Sequence, residues 1–162
     1  MTPYVPGKPI EEVKRELGLE QVVKLASNEN PLGPSPLAVA AVREAASQMH
    51  RYPDASGFAL KVKLAERYGL EIGNVVLGNG SDELIHLLGL VFLQPGDRMV
   101  VADPTFVRYA AAAQLASAEL VKVPLDSSLC HDLAAMARAL TDRTKLVFVA
   151  NPQNPTGKVV AE

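Results

Sequence analysis

The chain of 162 residues has room for one ordinary domain with a real core, and 48% hydrophobic with 21% charged residues describes a folded, soluble protein rather than a disordered one. A net charge of −2 leaves no basic footprint for nucleic acid or an anionic membrane, and no apolar run reaches the roughly 18–20 residues of a membrane span. The N-terminus lacks the apolar stretch of a signal peptide, and Cys130 is the single cysteine, which excludes an intrachain disulfide, argues against a metal cluster and makes a reducing, cytoplasmic location the expectation.

Residues 1–9 read as an extended, proline-punctuated arm, followed by a short helix over Ile10 to Leu17 and a short apolar strand over Val22 to Ala26. "SNENPLGPSP" is a stiff loop. A helix starts near Pro36, with Leu37, Ala41, Ala45 and Met49 on one apolar face. "RYPDASG" is a second turn-rich loop, and an amphipathic helix from about Phe58 to Tyr68 follows it.

From there strand and helix alternate. "NVVLGNGSDELIHLLGLVFL" and "GDRMVVADPTFVRYAAAAQL" each run strand, loop, helix; "AELVKVPL" is a third strand. A short helix near Leu133 to Leu140 precedes "TKLVFVA", a fourth strand that is apolar at every position from Leu146 to Ala150, as expected when both sheet faces are covered. This alternation predicts an α/β fold with a mostly parallel sheet. Ligands gather at the carboxyl ends of such strands, where "GNGSDE", "ADPTF" and "NPQNPTG" all fall.

Each of the three loops has a chemical reading beside an ordinary one. In "GNGSDE", Ser81 is a candidate N-cap, and free N–H groups at the helix start would suit a phosphate; the same residues also make a tight capped turn. In "ADPTF", Thr105 can cap the next helix and Phe106 would lie in its first turn, where a ring can stack on an aromatic cofactor or simply pack in the core. In "NPQNPTG", Asn151 and Asn154 each precede a proline, which stiffens the backbone and aims an amide at an oxyanion or phenolate oxygen, or else closes Asx-turns. His86 reads as a core-edge residue, and His50 and His131 have no partners at metal-ligand spacing.

Together, "PYVPGKPIEEVKRELGL", "KLASNENPLGPSP", "RYPD", "GNGSDELI", "DPTF" and "NPQNPTG" resemble, in order and spacing, the aspartate-aminotransferase-like (fold type I) pyridoxal-phosphate enzymes, and among them the histidinol-phosphate aminotransferases. The resemblance covers essentially the whole chain. It implies a three-layer, mostly parallel large domain, incomplete here, with an N-terminal arm. Residues 1–35 would be that arm with a substrate-entrance loop, and residues 36–162 the first part of the cofactor-binding domain, without the C-terminal small domain.

The resemblance also implies roles. Ser81 and Asp82 would offer backbone N–H groups to the phosphate of pyridoxal 5′-phosphate, Phe106 would stack on its ring, and Asn154 would hydrogen-bond its phenolic oxygen. Tyr52 would reach the cofactor of a neighbouring subunit, implying a homodimer. Tyr4, Asn28, Glu29 and Asn30 would line the substrate entrance. The implied reaction moves an amino group between histidinol phosphate and 2-oxoglutarate and needs a Schiff-base lysine following a serine. No Ser-Lys pair occurs among the eight lysines, so no catalytic residue is assigned and the chain is expected to be an N-terminal portion, inactive alone. Related readings are an aromatic amino-acid aminotransferase, a phosphate-substrate decarboxylase of the same fold, or a non-catalytic phosphate-binding module.

Overall fold

A computed structural model describes residues 7–160. They divide into two compact units, the first ending at residue 58 and the second beginning at residue 59.

The first unit carries helix α1 (Ile10–Leu17) and helix α2 (Pro36–Ala45). In α1, Glu11 and Glu12 occupy the first turn and Lys14 and Arg15 the last, each matching the sign of the helix dipole. Pro36 opens α2, where its missing N–H has no consequence. None of the described residues of this unit is buried. The predicted apolar face of α2 is therefore open, with Leu37 82% and Met49 80% exposed. The strand expected over Val22 to Ala26 does not form. Apolar β-branched sequence makes a strand only beside a ladder partner, and no strand of this unit lies among the described residues.

The second unit contains α3 (Phe58–Tyr68), α4 (Gly80–Phe92), β1 (Arg98–Asp103), α5 (Val107–Leu115), β2 (Glu119–Pro124), α6 (Leu133–Arg138) and β3 (Thr144–Phe148). The strands pair in parallel in the order β2-β1-β3. Three strands replace the four expected here, because Val75 is extended (φ −103°, ψ 117°) but its segment has no bonded neighbour among the described residues.

Three layers result. Met99 and Val101 of β1 face α4 and α5, burying Ile85, Tyr109, Ala112 and Ala113 on that side. Val100 points the other way, into Val123 and Met136 of α6. Met99, Val100 and Val101 are wholly inaccessible, which reflects the two-sided cover of a central parallel strand. Burial of each contributes about 1.5–3 kcal/mol. The edge strand β3 differs from expectation: its positions alternate between half-buried and exposed, with Val147 45% exposed, so one of its faces lacks cover.

Helices α4 and α5 approach closely at Gly89, where an added Cβ would lie 3.1 Å from Ala112 Cβ and 3.4 Å from its carbonyl oxygen. Gly89→Leu is therefore expected to destabilise the fold by about 1–3 kcal/mol through overpacking, read as a lower urea midpoint at unchanged m-value.

Candidate functional site

The chain passes from β1 to β2 on one side and then to β3 on the other, so the topological switch point lies between β1 and β3. The crevice beyond their carboxyl ends is where an open α/β sheet takes its ligand. Phe106 follows β1 and Asn154 follows β3 at this edge.

Helix α4 begins at Gly80, whose φ of 72° suits the residue without a Cβ. Its N-cap is Asn79, not Ser81 as the sequence suggested, and the Asn79 side chain makes no capping bond. The chain turns sharply at Gly80, placing Ser81 one residue inside the helix. Among the described residues, the backbone N–H groups of Ser81 and Asp82 have no acceptor. Open N–H groups at the positive end of a helix are of the kind that suits an anion. Both nearby carboxylates are engaged: Asp82 pairs with Arg108 at the start of α5, and Glu83 Oε2 accepts the Asn79 N–H at 2.5 Å.

Phe106 occupies the N-cap position of α5, just ahead of the helical turn expected to hold it. Thr105 does not cap that helix: its hydroxyl is buried without a hydrogen-bond partner. The Phe106 ring is half-buried and makes a T-shaped contact with Tyr109, at 5.8 Å between centroids and 88° between planes. One ring face is thereby oriented by packing, as a stacking platform requires.

The loop after β3 separates its three amides by task. Asn151 spends its side chain on Val160, donating to its carbonyl at 3.2 Å and accepting its N–H at 3.1 Å. Gln153, only 2% exposed, donates to the Pro104 carbonyl at 2.7 Å and accepts the Thr156 N–H at 2.8 Å. Asn154, half-buried, makes no side-chain hydrogen bond among the described residues, leaving its amide available to a ligand. Sequence reasoning treated the two Asn-Pro pairs alike and passed over Gln153. The signal that could have found it is an amide between two prolines beside an apolar strand.

Behind this loop, Asp126 holds a turn by accepting the N–H groups of Cys130 and Ser128, each at 2.9 Å, and the Ser128 hydroxyl at 2.7 Å. That turn presents the Leu129 carbonyl to the Thr156 hydroxyl at 2.9 Å. The Cys130 N–H first, then the Ser128 hydroxyl, holds the Asp126 carboxyl below its ordinary range. A lowered folded pKa means the stabilisation is complete above the unfolded value of about 3.9 and is lost as pH falls through the folded one. Asp126→Asn is expected to flatten the acid limb of stability below about pH 4, measured by urea unfolding across a pH series.

In the first unit, Asp54 of "RYPD" accepts the Ser56 N–H at 2.9 Å, the Ser56 hydroxyl at 2.7 Å and the Phe58 N–H at 3.1 Å, fixing the loop before α3. Tyr52 is fully exposed, at 101%. In the "NENP" loop, Asn30 accepts the Leu32 N–H at 3.0 Å and Glu29 pairs with Lys24 at 2.5 Å. Asn28 is exposed in the left-handed region, at φ 51°. Tyr4 lies outside the described residues. Among the described residues, no group of three His, Cys, Asp or Glu side chains is arranged to hold a metal, and no helix is long and apolar enough to cross a membrane.

A family model described as aminotransferase class I and II matches residues 20–162. A histidinol-phosphate aminotransferase of Moorella thermoacetica is 55% identical over 160 residues, covering 99% of this chain and 41% of that protein. One from Symbiobacterium thermophilum is 52% identical, covering 100% of this chain and 45% of that protein. The crystal structure of histidinol-phosphate aminotransferase from Sinorhizobium meliloti, in complex with pyridoxal 5′-phosphate, superimposes with a TM-score of 0.84 at 27% identity, covering 94% of this chain and 42% of that one. The chain thus spans less than half the length of these relatives.

Proposed function

The chain belongs to the class I and II aminotransferase family, and on that basis we propose that it forms part of the pyridoxal 5′-phosphate site of a histidinol-phosphate aminotransferase. The observations that support this most are an open helix start tied to α5 through Asp82 and Arg108, an oriented aromatic ring, and an uncommitted amide next to the Gln153–Pro104 bond. Those three features match a phosphate, a pyridine ring and a phenolic oxygen. Bound there, the cofactor supplies an electron sink for the carbon that carries the amino group. The N–H groups of Ser81 and Asp82 hold the phosphate, with the Asp82 carboxylate turned away to Arg108. Phe106 covers one ring face and excludes water from it. Asn154 donates to the phenolic oxygen without adding charge, favouring its ionised form.

The substrate pair in this reading is histidinol phosphate with 2-oxoglutarate, supported by the names of the Moorella and Symbiobacterium relatives. Tyr52 serves the site of a second subunit in a homodimer, and its full exposure leaves it available for that contact. In this reading Asn28, Glu29 and Asn30, on the arm-and-loop segment 1–35, serve the substrate entrance, and residues 36–162 contribute to the cofactor domain. The location is cytoplasmic.

The test is an assay of protein expressed from its complete coding sequence, with histidinol phosphate or phenylalanine as amino donor to 2-oxoglutarate. Cofactor binding with turnover of histidinol phosphate is the expected result. Preference for phenylalanine would overturn the substrate, and absence of cofactor binding would overturn the whole reading.

A further inference from the structure

Pairing between β1 and β3 ends at Val101 opposite Phe148, so no ladder bond holds the continuing segments, 102–106 and 149–154, side by side. Beyond that point the chains diverge, one turning into α5 and the other into the Asn-Pro loop. Among the described residues, one hydrogen bond crosses between these two loops: Gln153 Nε2 to the Pro104 carbonyl, at 2.7 Å.

Everything else about Gln153 is committed to its own loop. Its Oε1 accepts the Thr156 N–H at 2.8 Å. Its backbone N–H donates to the Lys158 carbonyl and its own carbonyl accepts the Gly157 N–H, both at 2.7 Å. With 2% exposure, the side chain has no water to substitute for a lost partner. The residue after Gln153 is Asn154, and the residue two beyond Pro104 is Phe106.

We propose that Gln153 is a positioning residue that clasps the two ligand-facing loops together where strand pairing stops, fixing Phe106 and Asn154 relative to one another. The clasp rests on the cofactor reading for its functional consequence, but its mechanical content stands on the geometry alone. Gln153 works because its reach spans both acceptor and donor. Asparagine, one methylene shorter, cannot satisfy Pro104 and Thr156 together. An ionised glutamate has the reach and still accepts from Thr156, but cannot donate to Pro104.

Protein from the complete coding sequence, carrying Gln153→Asn or Gln153→Glu, is compared with wild type by hydrogen-exchange mass spectrometry and by titration with pyridoxal 5′-phosphate. Gln153→Glu keeps the volume and the Thr156 bond, so it remains informative if the shorter variant fails to fold. Asn151→Ala is the control, since it loosens the same loop at Val160 without touching the clasp. The expected result is faster exchange across residues 104–110 in both Gln153 variants and not in the control, with cofactor affinity reduced about tenfold and a shifted absorbance band of the bound cofactor. If wild type does not bind the cofactor, the exchange pattern alone decides the clasp, while the cofactor reading falls separately. Unchanged exchange over residues 104–110 in Gln153→Glu, or equal effects in Asn151→Ala, overturns the clasp.

Discussion

Asn154→Ala is expected to weaken binding of pyridoxal 5′-phosphate ten- to a hundredfold, whereas Asn151→Ala leaves it within about threefold. The first magnitude follows from the loss of a hydrogen bond to an ionised oxygen, about 1.5–3 kcal/mol, which is roughly one to two decades in affinity. The contrast follows from how the two amides are used. Asn151 satisfies both of its polar groups on the Val160 backbone, while Asn154 has no partner among the described residues. Removing the first loosens a loop; removing the second takes away a ligand contact. The bound cofactor's absorbance should also respond to Asn154→Ala alone, because its phenolic oxygen would lose the donor that favours ionisation. Equal loss of affinity in both variants, with no spectral change, would reduce Asn154 to a turn residue.

The difference between these two asparagines marks the limit of what the sequence discloses. Helix α3 was legible at both ends, Phe58 and Tyr68, and α2 at its start, because Pro36 and a regular apolar spacing are local signals. The alternation of strand and helix, and the placement of the chemical loops beyond the strands, followed from periodicity and turn chemistry. What failed depended on neighbours distant in sequence. Val22 to Ala26 and the segment after Val75 are apolar and β-branched, yet neither has a ladder partner among the described residues. Ser81 is the local exception: it looked like a cap, but the positive φ of the adjacent Gly80, which the sequence does not disclose, goes with a helix start ahead of it. Gln153 was silent because its partner, Pro104, lies 49 residues away.

Tyr109 is where the stability of the fold and the orientation of the site meet, and Tyr109→Ala carries the largest expected loss of stability. The ring is 8% exposed, stacks on Phe148 at 4.4 Å and 15°, and lies nearly perpendicular to Phe106. Truncation removes a large buried side chain from between two aromatic rings, beside Ile85, Met99 and Ala112, at a cost of about 3–5 kcal/mol. Against a total of about 5–15 kcal/mol for a domain, that approaches unfolding. Tyr109→Phe keeps both ring contacts, and the hydroxyl has no hydrogen-bond partner among the described residues, so its cost should stay under about 1 kcal/mol. Burial pushes the Tyr109 phenol up, which means the folded state favours the neutral form. That stabilisation is complete below the unfolded value of about 10 and is lost as pH rises through the folded one. Urea unfolding should show a decline in wild type above about pH 10 that is shallower in Tyr109→Phe. A full-sized loss in Tyr109→Phe would transfer the weight from ring packing to the hydroxyl. Tyr109 would then no longer explain how the Phe106 ring is oriented at the mouth of the site.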